Sequence, residues 1–264
     1  MKVKRDRRPD MLRVEEENEG QLEGRNALME ALRSGRTIDK VFIAAGETDK
    51  GLQRLAAQAK EAGAVVVPVD RRKLDAMSTS HSHQGVIALA AAREYFTIDD
   101  ILQEAADRGE TPLIVICDEL SDPHNLGAIL RSAECAGAHG VIIPKRRSVG
   151  LTAVVAKASA GAVEYMKVAR VTNINAAMEE LKEKGVWIFG TAAEGSIPMY
   201  KADLTGPTAI VIGSEGDGMS RLVRENCDVI VHIPMKGNIS SLNASAAASI
   251  LLYEAVRQRI GKEG

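Results

Sequence analysis

Three segments of this 264-residue chain set reactive polar residues just beyond apolar runs: DPHNLGAILRSAE from Asp122, IGSEGDGMS from Ile212 and IPMKGNISSLNASAA from Ile233. In α/β sheets, ligands collect beyond the carboxyl ends of buried strands, so these are the places to look for chemistry. In the first segment Asn125 or Asp122 can cap a helix beginning near Leu126. Arg131 lies on the early part of that helix, where the dipole disfavours a cation. A guanidinium held there can orient a phosphate or stabilise a developing oxyanion; pairing with Glu134 three residues on is the purely structural alternative. In the second segment Gly213, Gly216 and Gly218 allow close backbone approach to a ligand and leave Glu215 at the loop edge. The third crowds Ser240, Ser241 and Asn243 onto a helix start, where capping accounts for one of them but hardly for all three. The glycine loop matches neither G-x-x-x-x-G-K-[ST] nor G-x-G-x-x-G, which argues against a Walker-type phosphate site and a dinucleotide fingerprint.

The elements that carry these segments follow from periodicity. From Thr111 onward, the runs LIVIC, VIIP, VWIFGTA, AIVIG and VIVHIP alternate with helical stretches, the pattern of a parallel sheet covered on both faces. The last stretch, LNASAAASILLYEAVRQRI, predicts a long helix from about Ser241, whose Ala and Ser positions permit close packing. Residues 23–92 alternate likewise and predict a separate small α/β domain. Residues 93–110, including TIDDILQEAADRG, read as a helical linker ending at Gly109, where glycine takes the left-handed cap. Residues 1–22, basic and then acidic with few apolar side chains, read as a flexible tail.

Composition narrows the classes. A 45% hydrophobic content supplies folded cores, while a net charge of -2 confines any nucleic-acid contact to local patches. The candidates are Lys2, Lys4, Arg5, Arg7 and Arg8, then Arg71, Arg72 and Lys73, then Lys145, Arg146 and Arg147. With 3% aromatic residues, a recognition surface of stacked rings is not expected. The cysteines Cys117, Cys135 and Cys227 show no metal-binding spacing, so no metal is expected and a reducing compartment is. The charged N-terminus is no signal peptide, and no apolar run approaches about 18 residues, so a cytoplasmic protein without membrane association is expected.

Taken together, in order and spacing, the three segments resemble the signature motifs of the SpoU family, also called TrmH, among the knotted SPOUT methyltransferases. Residues 23–92, with HSHQGV near their end, resemble that family's N-terminal RNA-binding domain, which is similar to ribosomal protein L30e and the L7Ae-type binders. The resemblance covers about residues 23 to 260. It implies a C-terminal trefoil knot, a homodimer with active sites at the interface, S-adenosylmethionine as cofactor and RNA as substrate. The implied activity is 2'-O-methylation of a ribose, and the domain layout is most similar to enzymes acting on a guanosine of 23S rRNA. Asn125, Arg131, Glu215, Ser241 and Asn243 match the family's catalytic positions. Gly213, Ile233 and Leu242 match cofactor-binding positions, with Thr191 and Met235 as neighbours. A tRNA ribose methyltransferase, a catalytically inactive RNA-binding ribosome-assembly factor, and a small-molecule enzyme on the same fold class are the competing readings.

Overall fold

A computed structural model describes residues 20–46, 48–78, 80, 82–91, 93–192, 197–239 and 241–261. Most of the tail expected at 1–22, its basic cluster, and Ser240 lie outside the described residues. The chain divides into two compact units. One comprises residues up to Ala92 together with Leu151–Val154; the other comprises Arg93–Gly150 and Val155–Gly264.

The first unit is built on a four-stranded sheet in the order β1-β4-β2-β3, with β1 Gln21–Glu23, β2 Ile38–Ala44, β3 Val65–Val69 and β4 Val86–Ala90. β4 runs antiparallel to both β1 and β2, whereas β2 and β3 are parallel. Helices α1 (Arg25–Arg33), α2 (Lys50–Glu61) and α3 (Arg71–Met77) connect the strands. Leu28 from α1, Leu52, Leu55 and Ala59 from α2, and Val41, Val86 and Ala88 from the sheet close one core. β1 was not legible in the sequence, because three residues are too few for an alternation to show.

The second unit holds seven parallel strands in the order β7-β6-β5-β10-β8-β11-β9. These are β5 Leu113–Cys117, β6 Gly140–Pro144, β7 Val168–Val171, β8 Trp187–Thr191, β9 Ile197–Pro198, β10 Thr208–Ile212 and β11 Val229–His232. β5 and β10, paired at the centre, are buried along their whole length, which is why they read as unbroken apolar runs rather than alternations. Helices α5 (Pro123–Cys135), α6 (Ala153–Ala158), α7 (Ile174–Glu183), α8 (Arg221–Glu225) and α9 (Ala244–Ile260) follow in order.

The stretch expected as a helical linker is the helix α4, Ile98–Arg108, and it packs into the second unit's core rather than standing between the units. Ile98 and Ile101 are buried in one cluster with Ile114, Ile142 and Met178, and Ala105 on the same helix is buried as well. Contact with β6 is so close that a Cβ on Gly140 would stand 2.5 Å from the Ile101 side chain. Threonine and aspartate fix the helix start: the Asp100 backbone N–H donates to Thr97 Oγ1 at 3.1 Å, and the Thr97 N–H donates to Asp100 Oδ2 at 2.8 Å. Gly109 ends the helix at φ +66°.

The C-terminal helix is fastened at its far end by Arg259. Its guanidinium donates to the carbonyls of Thr111 (2.6 Å), Pro112 (2.9 Å), Gly206 (3.0 Å) and Leu204 (3.3 Å), and burial lowers its pKa. His139, also buried, accepts the Leu113 N–H at Nδ1 (3.0 Å) and meets Glu110 through Nε2 at 3.0 Å. Desolvation lowers its pKa below the usual 6.5. Among the described residues no helix is long and apolar enough to cross a membrane.

Candidate active site

The carboxyl ends of β5, β10 and β11 release the three segments into one neighbourhood. After β5, Asp122 caps α5 by accepting the His124 N–H at 2.8 Å, and Pro123 occupies the first helical position, where a missing N–H costs nothing. The helix therefore starts three residues before the expected Leu126, which places Asn125 in its first turn, buried at 5% exposure. Asn125 is thereby freed from capping for another task.

That task is set by Asn243. Its amide nitrogen carries two hydrogens. One is donated to Asn125 Oδ1 at 2.8 Å, and the nitrogen also donates to Glu215 Oε1. Asn243 Oδ1 in turn accepts from the backbone N–H groups of Ser245 (3.0 Å) and Ala246 (3.2 Å) and from Ser245 Oγ (2.6 Å), capping α9. One side chain thus joins residues 118 positions and 28 positions away in sequence. The capping and functional alternatives weighed for the third segment coincide at this residue.

The loop after β10 is shaped by its glycines. A Cβ on Gly213 would lie 2.2 Å from the Gly218 carbonyl carbon, because the loop folds back on itself through Ser214–Gly218 backbone hydrogen bonds at 2.9 and 3.1 Å. Gly218 sits at φ +69°, where a side chain is disfavoured. Gly216 has open space around it and a negative φ, so nothing local requires a glycine there. The loop's return is tied down by Asp118, a buried carboxylate that accepts the Ser220 N–H at 2.7 Å. Sequence reasoning missed Asp118; the available signal was an acid directly after a fully buried strand.

Between this loop and the approach to α9 lies a cavity of about 500 Å³. Thr191, Gly213, Ile233, Met235, Ser241 and Leu242 all line it, and Glu215 stands at its edge. Thr191 is held by donating from Oγ1 to the Val211 carbonyl at 2.9 Å. Volume and lining suit a nucleoside-sized ligand, with an apolar slot (Ile233, Leu242, Leu251) beside backbone polar groups at the strand ends.

Arg131 stands apart. It is exposed and makes no hydrogen bond or ion pair among the described residues, with Glu134 or any other group. Six residues separate it from Asn125, a rotation of about 240° around the helix, so the two side chains face different directions. Within one chain Asn125 and Glu215 both bond to Asn243 rather than to Arg131. Of the nearby thiols, Cys117 is fully buried, and desolvation pushes it up to about 12, leaving it protonated and unreactive.

The family model described as "SpoU rRNA Methylase family" matches residues 112–253, more than half the chain. The chain belongs to the SpoU (TrmH) methyltransferase family. A second family model, for "RNA 2'-O ribose methyltransferase substrate binding", matches residues 21–96. Among SpoU relatives, the chain is 49% identical over 236 residues to a TrmH family tRNA/rRNA methyltransferase, YacO, of Bacillus subtilis; the match covers 89% of this chain and 94% of YacO. The SpoU methyltransferase AviRb of Streptomyces viridochromogenes, crystallised with AdoMet, superposes with a TM-score of 0.59 at 27% identity, covering 92% of each chain. An RNA 2'-O ribose methyltransferase aligns with a TM-score of 0.53 at 27% identity over 94% of this chain and 96% of its own.

Proposed function

We propose that this SpoU enzyme transfers a methyl group from S-adenosylmethionine to the 2'-oxygen of a ribose in structured RNA, a guanosine of 23S rRNA in particular. The observation that carries the reading is the Asn125–Asn243–Glu215 junction at the 500 Å³ cavity, with an arginine on the same helix as Asn125 that has no partner among the described residues. The 2'-O position is supported by the substrate-binding match over residues 21–96, and RNA over DNA by the hydroxyl itself. When bound, S-adenosylmethionine supplies a methyl carbon made electrophilic by its sulfonium. Thr191, Gly213, Ile233, Met235 and Leu242 hold it, and Ser241 shapes the pocket on the nucleotide side.

The 2'-hydroxyl gives up its proton to solvent ahead of bond formation, so negative charge develops on the attacking oxygen and must be stabilised; the new C–O bond would replace the methyl–sulfur bond, whose electron pair stays on sulfur. Arg131 stabilises that charge while gripping an adjacent RNA phosphate. Since Arg131 turns away from its own chain's Asn125, the arrangement calls for a homodimer in which one copy's arginine serves the other's cavity. The apolar side chains Ile250 and Tyr253, exposed on α9, supply a surface for it. The first unit acts as an L30e-like RNA-binding domain, and the C-terminal segments form the trefoil knot.

The test is transfer of labelled methyl to unmodified 23S rRNA and to tRNA, followed by mapping of the modified ribose. Arg131→Ala is expected to lower turnover by roughly a hundredfold or more with cofactor affinity unchanged. Arg131-independent transfer would refute the assignment, and labelling of tRNA alone would move the protein to the tRNA branch.

A further inference from the structure

The basic segment Lys145–Arg147, which the site above does not use, leaves the carboxyl end of β6 next to the loop leaving β5. It is tied to that loop at several points. Ser148 Oγ and the Val149 N–H both donate to the Leu120 carbonyl at 2.9 Å, and Arg147 Nη1 donates to Glu119 Oε1 at 2.8 Å. Glu119 lies three residues before Asp122, the cap of the helix that carries Asn125 and Arg131. Two features of this pair bear on its use. Glu119 and Arg147 both occupy left-handed backbone conformations, φ +55° and +56°, which non-glycine residues adopt in only about a few per cent of cases. Such conformations concentrate where the backbone is held for a purpose. The ion pair is also open to solvent, with the Arg147 side chain 79% exposed, a setting in which a carboxylate holds a guanidinium only weakly. Lys145 and Arg146 extend the charge, and neither side chain makes an ion pair among the described residues.

We infer that Glu119 is an internal stand-in for an RNA phosphate: it holds Arg147 beside the loop that leads into α5 until a phosphodiester of the substrate displaces it. A carboxylate and a phosphodiester each carry one negative charge and each fit the fork of a guanidinium, so one can replace the other without moving the loop. The exchange places the RNA backbone beside the helix that bears Arg131. The inference rests on the RNA-methyltransferase reading for its ligand, and on the Glu119–Arg147 geometry for its site.

The two partners of this ion pair are predicted to act in opposite directions. Binding of the full-length protein to an unmodified 23S rRNA transcript is measured over a range of salt concentrations. Arg147→Ala is expected to weaken binding roughly three- to tenfold and to reduce the slope of log K against log salt by about 0.7–0.9, one phosphate contact. Glu119→Gln is expected to tighten binding roughly two- to fivefold, and to do so only when Arg147 is present, so the double variant behaves as Arg147→Ala. Cofactor binding is expected to stay as in the unaltered protein for all three. If Glu119→Gln weakens binding as Arg147→Ala does, the pair is a structural strap and the inference is wrong. Equal tightening by Glu119→Gln with and without Arg147 also overturns it, since that reports mere removal of a negative charge. Tight binding with the predicted slopes but no methyl transfer would leave this site standing and remove the substrate reading. Failure of the unaltered protein to bind the transcript would remove both.

Discussion

Replacing Asn243 separates two jobs that one side chain performs. Asn243→Ala removes the α9 cap, worth about 1 kcal/mol, and strips the donor from Asn125 Oδ1, whose side chain is buried, at a further cost of about 1–3 kcal/mol. The alanine variant should therefore lose about 2–4 kcal/mol. Asn243→Ser keeps an oxygen that can accept the Ser245 and Ala246 N–H groups but has no reach toward Asn125 or Glu215, so it should recover about 1 kcal/mol of that loss. The chain's single tryptophan, Trp187, opens β8 in the second unit, so its fluorescence in a urea titration reports the unit that contains the site. Methyl transfer by both variants should fall by a similar factor, about tenfold or more, because the junction is broken in each. If serine and alanine destabilise equally, Asn243 is not the cap that matters. Full activity in the serine variant would mean that the junction does not organise the site.

Gly213→Ala should abolish cofactor binding and destabilise the second unit by about 1–3 kcal/mol, measured by calorimetric titration and urea, since the new methyl meets loop backbone rather than a movable side chain. For His139 the folded-state pKa is depressed below 6.5, so the unfolded chain binds the proton first: the stability it contributes is complete above pH 6.5 and is lost as pH falls below that value. The urea midpoint should thus drop between about pH 7.5 and about pH 5.5, and drop less in His139→Asn, whose oxygen can still accept the Leu113 N–H. Arg259→Lys should cost about 2–4 kcal/mol, nearly as much as Arg259→Ala, because an ammonium cannot span the four carbonyls that the fork satisfies; rescue by lysine would refute that account.

The parallel sheet was legible because both faces of β5 and β10 are buried, which leaves no polar residue to interrupt the apolar run. The capping glycine at 109 was legible because its conformation is set by a local rule. The place of α4 was not: Ile98, Ile101 and Ala105 give an ordinary amphipathic stripe, and a stripe does not say which core receives it. The convergence of Asn125, Glu215 and Asn243 came from matching three segments as a set, whereas the particular bonds among them depend on where α5 starts, and that start is fixed by Asp122 and Pro123 rather than by Asn125. Arg131's orientation follows from helix geometry once that start is known. Asp118 escaped because an acid after a strand has no periodicity to mark it.

Asn243's double duty changes what its presence in any SpoU sequence signifies. In a descendant that had stopped catalysing, drift could not easily discard Asn243 or Asn125, because loss of the first would uncap α9 and orphan the buried Asn125 amide, and loss of the second would leave a gap at a buried position. Such a descendant would keep most of the signature long after the chemistry had gone. Arg131, exposed and tied to nothing in its own chain among the described residues, has no such protection. When a lineage is sorted into working and silent members, the arginine is the informative letter, and the asparagines mainly report that the fold has survived.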